Sequence, residues 1–326
     1  LYGSDEWIHT SFFDVDTNRV ELFLEARAPL SKQVAVFGGW SWNRQANLST
    51  PYHSPFVGLE LVPGENHSLA FWIGRSGQFP FFNQLYGLAG NPQLSSEAAT
   101  GAEARWAYQN SQGIELAVSG FYRRRKEVPW RYQGLWRLED GEIVPPSRNT
   151  YQNLLRDRSY GGDARIGRRV PNGLSGWIAY AWSKSLWSEE ADSWFPGNYD
   201  QRNGISVFAH YRWTSDLELS LKWRFASGLP IPVYAQEIDG KYYVSERRNQ
   251  ERLPDYARFD VRLAKSFPKD RYRITLFVEV LNLTDRENVR YSGYELGSVN
   301  PKTGRIRNLT MEQFPILPTA GIMFEF

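Results

Sequence analysis

The chain contains no cysteine, which excludes disulfides and thiolate metal sites. No stretch approaches about 18 consecutive apolar residues, so there is no transmembrane helix. A dominant charge is missing too: 38 Lys and Arg stand against 36 Asp and Glu, a net charge of +2. Bulk electrostatics therefore make no case for nucleic acid. Histidine is scarce, and His9, His53, His67 and His210 show no metal-ligand spacing. The nucleophile elbow, the phosphate-binding loop and the dinucleotide fingerprint are all absent. The adjacent carboxylates Glu189-Glu190 and Glu139-Asp140 sit in loop-like sequence, where solvated charge accounts for them. No enzymatic reaction, cofactor or metal is implied.

What is abundant is aromatic: 15% of the 326 residues, with 13 Trp and 18 Tyr. Such an excess suits the interfacial girdles of a membrane barrel and equally a sugar-binding surface. The mean hydropathy of −0.52 argues against a helical membrane protein only. A barrel strand buries every second residue in lipid and leaves its lumen and loops polar.

Strict alternation is the dominant pattern. Leu217, Leu219, Leu221, Trp223 and Phe225 interleave with Glu218, Ser220, Lys222 and Arg224. Phe259, Val261 and Leu263 alternate with Arg258, Asp260 and Arg262. Period two means β-strand, and no convincing period of 3.6 is present. Fourteen strands are predicted, at 7–13, 19–27, 33–42, 55–62, 67–76, 100–109, 114–123, 158–169, 174–184, 202–213, 217–228, 255–266, 271–283 and 315–326.

Six connections are short and rich in turn residues: Ala28–Lys32, Pro63–Asn66, Asn110–Gly113, Pro171–Gly173, Thr214–Asp216 and Pro268–Asp270. Between them lie long connections near 43–54, 77–99, 124–157, 185–201, 229–254 and 284–314. Short and long turns alternate as in an up-and-down membrane barrel, not as in a Greek-key sandwich. A propeller's blade repeat is not visible. The last strand, Gly321–Phe326, sets Ile322, Phe324 and Phe326 on one face and stops on an aromatic residue. Closing a barrel against lipid requires that face to be apolar.

Several segments resemble TonB-dependent outer-membrane receptors. Arg252-Leu253-Pro254-Asp255-Tyr256-Ala257-Arg258-Phe259-Asp260-Val261-Arg262 and Phe277-Val278-Glu279-Val280-Leu281-Asn282-Leu283-Thr284-Asp285 are similar to the strand pair before that family's closing strand. Gly90-Asn91-Pro92-Gln93-Leu94, followed by Glu97 and Gly101, and Tyr199-Asp200-Gln201-Arg202-Asn203 also resemble it. So does the ending, where Ile322, Phe324 and Phe326 match an assembly signal read by the barrel assembly machinery.

The resemblance implies an all-β, antiparallel up-and-down barrel in the bacterial outer membrane, part of a larger one of about 22 strands. Residues 1–326 then form its C-terminal portion, without plug domain, signal peptide or TonB box. It implies energised import of a scarce, bulky solute such as a siderophore or oligosaccharide. The implied partners are the plug of the full-length protein, the TonB complex, and outer-membrane lipid and lipopolysaccharide. Two alternatives stay open: a passive channel of about 14 strands, or a soluble β-rich binding protein.

Candidate ligand residues are the loop aromatics, since flat rings offer contact area at low entropy cost. They are Phe81, Phe82 and Tyr86 beside Phe79; then Trp130, Tyr132 and Trp136; then Trp187, Trp194 and Phe195 beside Tyr199. A place in the lipid-boundary girdle is the competing role. Glu218, Lys222, Arg224, Arg258, Asp260 and Arg262 are expected to face the lumen. The run Arg123-Arg124-Arg125-Lys126 suits either anionic lipopolysaccharide or plain loop solubility.

Overall fold

The structure, a computed structural model, describes residues 14–132, 134–147, 149–189, 193–293 and 298–326. In chain order the first strands are β1 (Arg19–Pro29), β2 (Val34–Gln45), β3 (Tyr52–His53), β4 (Phe56–Gly64) and β5 (His67–Gln78). The single helix among the described residues, the short α1 (Phe82–Tyr86), precedes β6 (Glu97–Gln109) and β7 (Ile114–Trp130). β8 (Arg137–Glu139), β9 (Glu142–Val144), β10 (Gln152–Arg168), β11 (Gly173–Ser188), β12 (Trp194–Pro196), β13 (Asn203–Arg212) and β14 (Leu217–Ala226) follow. The rest are β15 (Tyr234–Ile238), β16 (Lys241–Arg248), β17 (Tyr256–Pro268), β18 (Arg273–Leu281), β19 (Val289–Tyr291), β20 (Arg305–Ile306), β21 (Thr310–Glu312) and β22 (Leu317–Glu325).

One antiparallel sheet dominates, in the order β1-β2-β4-β5-β6-β7-β10-β11-β13-β14-β17-β18-β22. Each wall strand pairs with the next wall strand in sequence, which is the up-and-down topology. The wall coincides with thirteen of the fourteen predicted strands; the remaining one, 7–13, lies outside the described residues. β1 and β22 do not pair with each other among the described residues.

The predicted ends of several strands need correction. β7 continues to Trp130, β10 begins at Gln152 and β11 runs to Ser188. These extensions carry polar or mixed residues on both faces, so the alternation that marks a strand fades before the hydrogen bonding does. Trp130 and Trp187 therefore stand on strand ends, not in loops.

Directly paired residues share a face, so the register carries one apolar face across the whole sheet. Leu24 pairs with Trp40 and Val57 with Ile73. Leu221 pairs with Val261, Leu263 with Val278, and Leu276 with Ile322. No paired Asp or Glu of the thirteen wall strands lies on that face. The opposite face holds the charge, as in Lys222 against Asp260 and Arg262 against Glu279. Many apolar-face residues are exposed, among them Leu24, Ile73, Ile178, Val278 and Ile322. A water-soluble sheet would cover them.

The short turns form one end of the wall. At 110–113 the Asn110 side-chain oxygen accepts from the backbone N–H of Gln112 and of Ile114, each at 3.0 Å. Gly113 has φ +78°, and a Cβ there would meet the Arg169 carbonyl oxygen of the neighbouring turn. The long connections form the other end and fold on themselves. β15, β16 and β20 make a small sheet, β8–β9 make a hairpin, and β19–β21 make a two-stranded pair with β20 between them in sequence. Their shared core is Ile231, Val233, Ala235, Val244, Val299, Ile306 and Leu309. A second core, Leu48, Phe79, Leu85 and Leu94, lies beneath α1.

Candidate functional site

The segments that resemble outer-membrane receptors turn out to be anchors of the long loops. The Asp200 carboxylate is fully buried. It accepts from the Ser185 backbone N–H at 2.7 Å, from Arg202 Nε at 2.7 Å and from Arg252 Nη2. Arg252 also donates to the carbonyls of Asp200 (2.7 Å) and Gly228 (3.0 Å). This ties the 197–202 segment, the end of β11 and the long loop before β17 into one node. Asn282, with φ +53°, donates its backbone N–H to Asp260 at 3.0 Å. Asp285 accepts from the Ile316 N–H at 2.8 Å, so it holds the entry to β22. Asn91 donates to the Tyr151 carbonyl at 2.8 Å, and Glu97 pairs with Arg125 at 3.4 Å.

The aromatic candidates separate into distinct places. Phe81 is exposed at the start of α1, and Phe82 stacks on Tyr86 at 6.5 Å. The Tyr86 hydroxyl accepts from Asn47 Nδ2 at 2.6 Å and packs on the core below α1. Trp136 packs against the core of the β15–β16–β20 sheet. Trp130, Trp187 and Phe195 come together with Val128 and Leu155. Trp130 and Trp187 meet edge to face at 5.2 Å. Trp187 is buried and donates Nε1–H to Asp157 at 2.9 Å; Trp130 donates to Glu189 at 2.7 Å. Trp194 pairs in register with Ser188 and Phe195 with Trp187, so these two neighbours lie on opposite faces.

Above Trp130 lies a feature that its sequence context did not signal. The Arg248 guanidinium stands 4.6 Å from the Trp130 ring centroid and 6.0 Å from that of Tyr234. Burial pushes its pKa down, opposed by Glu189, Tyr234 and Tyr291. Burial also raises Tyr234, and it pushes Tyr291 up to about 12. A cleft of about 640 Å³ opens here, lined in part by Tyr132, Arg137, Glu189, Phe195, Arg247 and Arg248. Flat rings beside guanidinium groups suit a planar or anionic guest. Only the tertiary packing brings β16 against the end of β7, so no spacing in the sequence could have revealed Arg248.

The six charged residues expected in the lumen share the polar face. Glu218 contacts Arg212 at 3.4 Å and His210 at 3.5 Å. Asp260 pairs with Arg258 at 2.6 Å, and Arg262 lies 3.8 Å over the Phe277 ring. Lys222 and Arg224 make no ion pair among the described residues. Arg224 lines a second cleft of about 550 Å³, together with Gln201, Tyr256 and Tyr291. At the closing strand Ile322 and Phe324 lie on the apolar face opposite Leu276 and Ile274, and Phe326 follows them, fully exposed. The basic run divides: Arg124 and Lys126 share the apolar face, while Arg123 and Arg125 share the polar one. Among the described residues no group of three or more His, Asp or Glu could hold a metal ion.

A family described as TonB dependent receptor-like, beta-barrel, matches residues 2–283. No curated protein matches the chain. Among solved structures, the FrpB iron transporter from Neisseria meningitidis superposes with a TM-score of 0.66 at 13% identity, over 94% of this chain and 45% of that one. A ferric enterobactin receptor variant from Pseudomonas aeruginosa, in complex with enterobactin, gives 0.65 at 16% identity over 94% and 45%. The copper transporter OprC gives 0.61 at 14% identity over 94% and 46%. The chain thus spans less than half the length of each of these three structures.

Proposed function

The chain belongs to the TonB-dependent receptor β-barrel family, and from that premise we propose that it is barrel wall of a transporter that imports a bulky solute across the outer membrane. The observation that carries this reading is the two-faced sheet. An apolar face without paired carboxylates fits lipid, and a charged face fits a water-filled or plugged lumen. The matched structures carry names of iron, ferric enterobactin and copper proteins. We read the solute of this chain as one of that kind: scarce, and too bulky or too dilute for passive diffusion.

The long-loop end is the extracellular one in this reading, because such barrels keep short turns on the periplasmic side. The packed loops and the cleft beside Trp130 and Arg248 then form the entrance. A plug domain of the full-length protein occupies the lumen against Lys222, Arg224 and Arg262, and the TonB complex acts on that plug. The role we read for the wall is passage of the solute. That β1 and β22 do not pair with each other among the described residues favours part of a larger barrel over a self-contained channel.

The test is uptake by cells expressing the full-length protein in a receptor-deficient background, with ferric enterobactin, ionic copper and a maltodextrin as probes. Uptake of one probe should require the receptor and should vanish on deletion of TonB. Receptor-dependent uptake that persists without TonB and after proton-gradient collapse would establish a passive channel instead.

A further inference from the structure

A cluster of cations lies on the wrong face for a lumen role. Across four neighbouring strands the register aligns Arg75, Thr100, Arg124 and Arg158 in one row on the apolar face. The next row towards the short turns is Ile73, Ala102, Tyr122, Tyr160 and Lys184. Lys126 stands one step beyond Arg124 in the other direction. None of these five cations makes a side-chain hydrogen bond or ion pair among the described residues. Arg125, on the polar face, is by contrast paired with Glu97 and Asp157. The Arg158 Nε is buried without a partner, and its guanidinium stacks 4.2 Å from the Trp194 ring centroid. Arg124 and Arg158 are directly opposed like charges, an arrangement that costs stability until an anion neutralises it.

Below this row the apolar face is hollow. An open groove of about 870 Å³ has Ala102, Ala104 and Gly120 for its floor and Phe71, Tyr122 and Trp182 among its walls. The combination has a direction: apolar groove, then a tyrosine row, then unpaired cations, running towards the long-loop end. Neighbouring strands are roughly 4.8 Å apart, so the cationic row is about 14 Å wide from Arg75 to Arg158.

We propose that this face binds one phosphorylated, multiply acylated lipid of the outer leaflet, with lipid A chemistry. Its acyl chains fill the groove, and its phosphates pair with Arg75, Arg124, Arg158 and Lys184. Guanidinium groups bind phosphate bidentately, and the adjoining low-dielectric surface strengthens each contact. The proposal rests on the reading of the long-loop end as extracellular, since lipid A chemistry is needed at that rim and not at the other.

The test uses the full-length receptor in detergent, titrated with bisphosphorylated lipid A, dephosphorylated lipid A and phosphatidylglycerol. Wild type should prefer bisphosphorylated lipid A over both others by roughly tenfold or more, given the worth of each cation near an anionic surface. A quadruple variant, Arg75→Gln, Arg124→Gln, Arg158→Gln and Lys184→Gln, should lose that preference. A control with Arg168→Gln and Lys265→Gln, at the short-turn end of the same face, should keep it. Heat-modified gel migration verifies that both variants are folded. Equal affinity for the three lipids, or equal loss in the control, overturns the site. Tight binding of phosphatidylglycerol alone would mean a general anionic-lipid collar and overturns it too.

Orientation is tested separately by placing single cysteines in this cysteine-free segment and comparing each variant with the unsubstituted receptor. In intact cells Lys302→Cys should react with an impermeant maleimide and Ser215→Cys should not. If that pattern reverses, both the extracellular reading and the lipid site fall. If it holds while the phosphates prove irrelevant, only the lipid site does.

Discussion

Replacing Asp200 by Ala should loosen the long loops without unfolding the wall. The carboxylate has no exposure and serves one backbone donor and two guanidinium groups. Removing one partner of a buried charge pair costs about 3–5 kcal/mol where the remaining charge stays buried. Here the Arg202 and Arg252 side chains are 30% and 31% exposed, so water reaches them once the carboxylate is gone. Arg252 also keeps its bond to the Gly228 carbonyl. The expected cost is therefore smaller, about 2–3 kcal/mol. Local opening of the 227–255 loop should become roughly 30- to 150-fold more frequent. Hydrogen exchange of the full-length protein in detergent, read by mass spectrometry, measures this directly. Peptides from 197–203 and 227–255 should lose protection, while those over the Asn110–Gly113 turn should not. Asp200→Ala with Arg252→Ala should cost less than the sum of the two single changes, since they share the carboxylate–guanidinium contact while Arg252 alone also holds the Asp200 and Gly228 carbonyls. Unchanged protection in the two loops, or two effects that simply add, would show that the node does not hold them.

Three further outcomes are expected. Trp187→Phe keeps the ring in its core but removes one donor to Asp157, for about 1 kcal/mol of local stability; a fluorescence-monitored denaturant titration that shows no shift would count against that bond. Gly113→Ala forces an L side chain into a positive-φ position against the Arg169 carbonyl and should cost about 1–3 kcal/mol, seen as a lower temperature of heat modification in gels. Tyr291, pushed up to about 12 by burial, is favoured as the neutral phenol in the folded loops. Its contribution to stability is full below the ordinary tyrosine pKa of about 10 and is lost as pH rises towards 12. The phenolate absorbance missing from Tyr291→Phe should accordingly titrate near 12; a value near 10 would mean that the ring is solvated.

What the sequence determined by itself was everything local and periodic. Alternation such as Leu217 to Phe225 needs only the period of the strand and one lipid-compatible face, so the thirteen wall strands were legible. The short turns were legible as well, because residues such as Asn110 and Gly113 carry their turn chemistry in their own side chains and φ angles. The outer extensions of β7, β10 and β11 were not, because polar residues on both faces erase the period while the ladder continues. The small strands β15 and β20 were missed because five and two residues are too few for a clear period, and β16 because its residues Tyr242, Tyr243 and Val244 run together without alternation.

Tertiary structure alone decided which distant groups meet. It put Arg248 over Trp130, set Trp194 and Phe195 on opposite faces, and joined Asp200 to Arg252 across 52 positions. It also divided the run Arg123-Arg124-Arg125-Lys126 between the polar and the apolar face of the sheet. A run of charges reads as one patch along the chain, but a strand turns successive side chains to opposite faces. Only the register with the neighbouring strands shows which charges then share a surface.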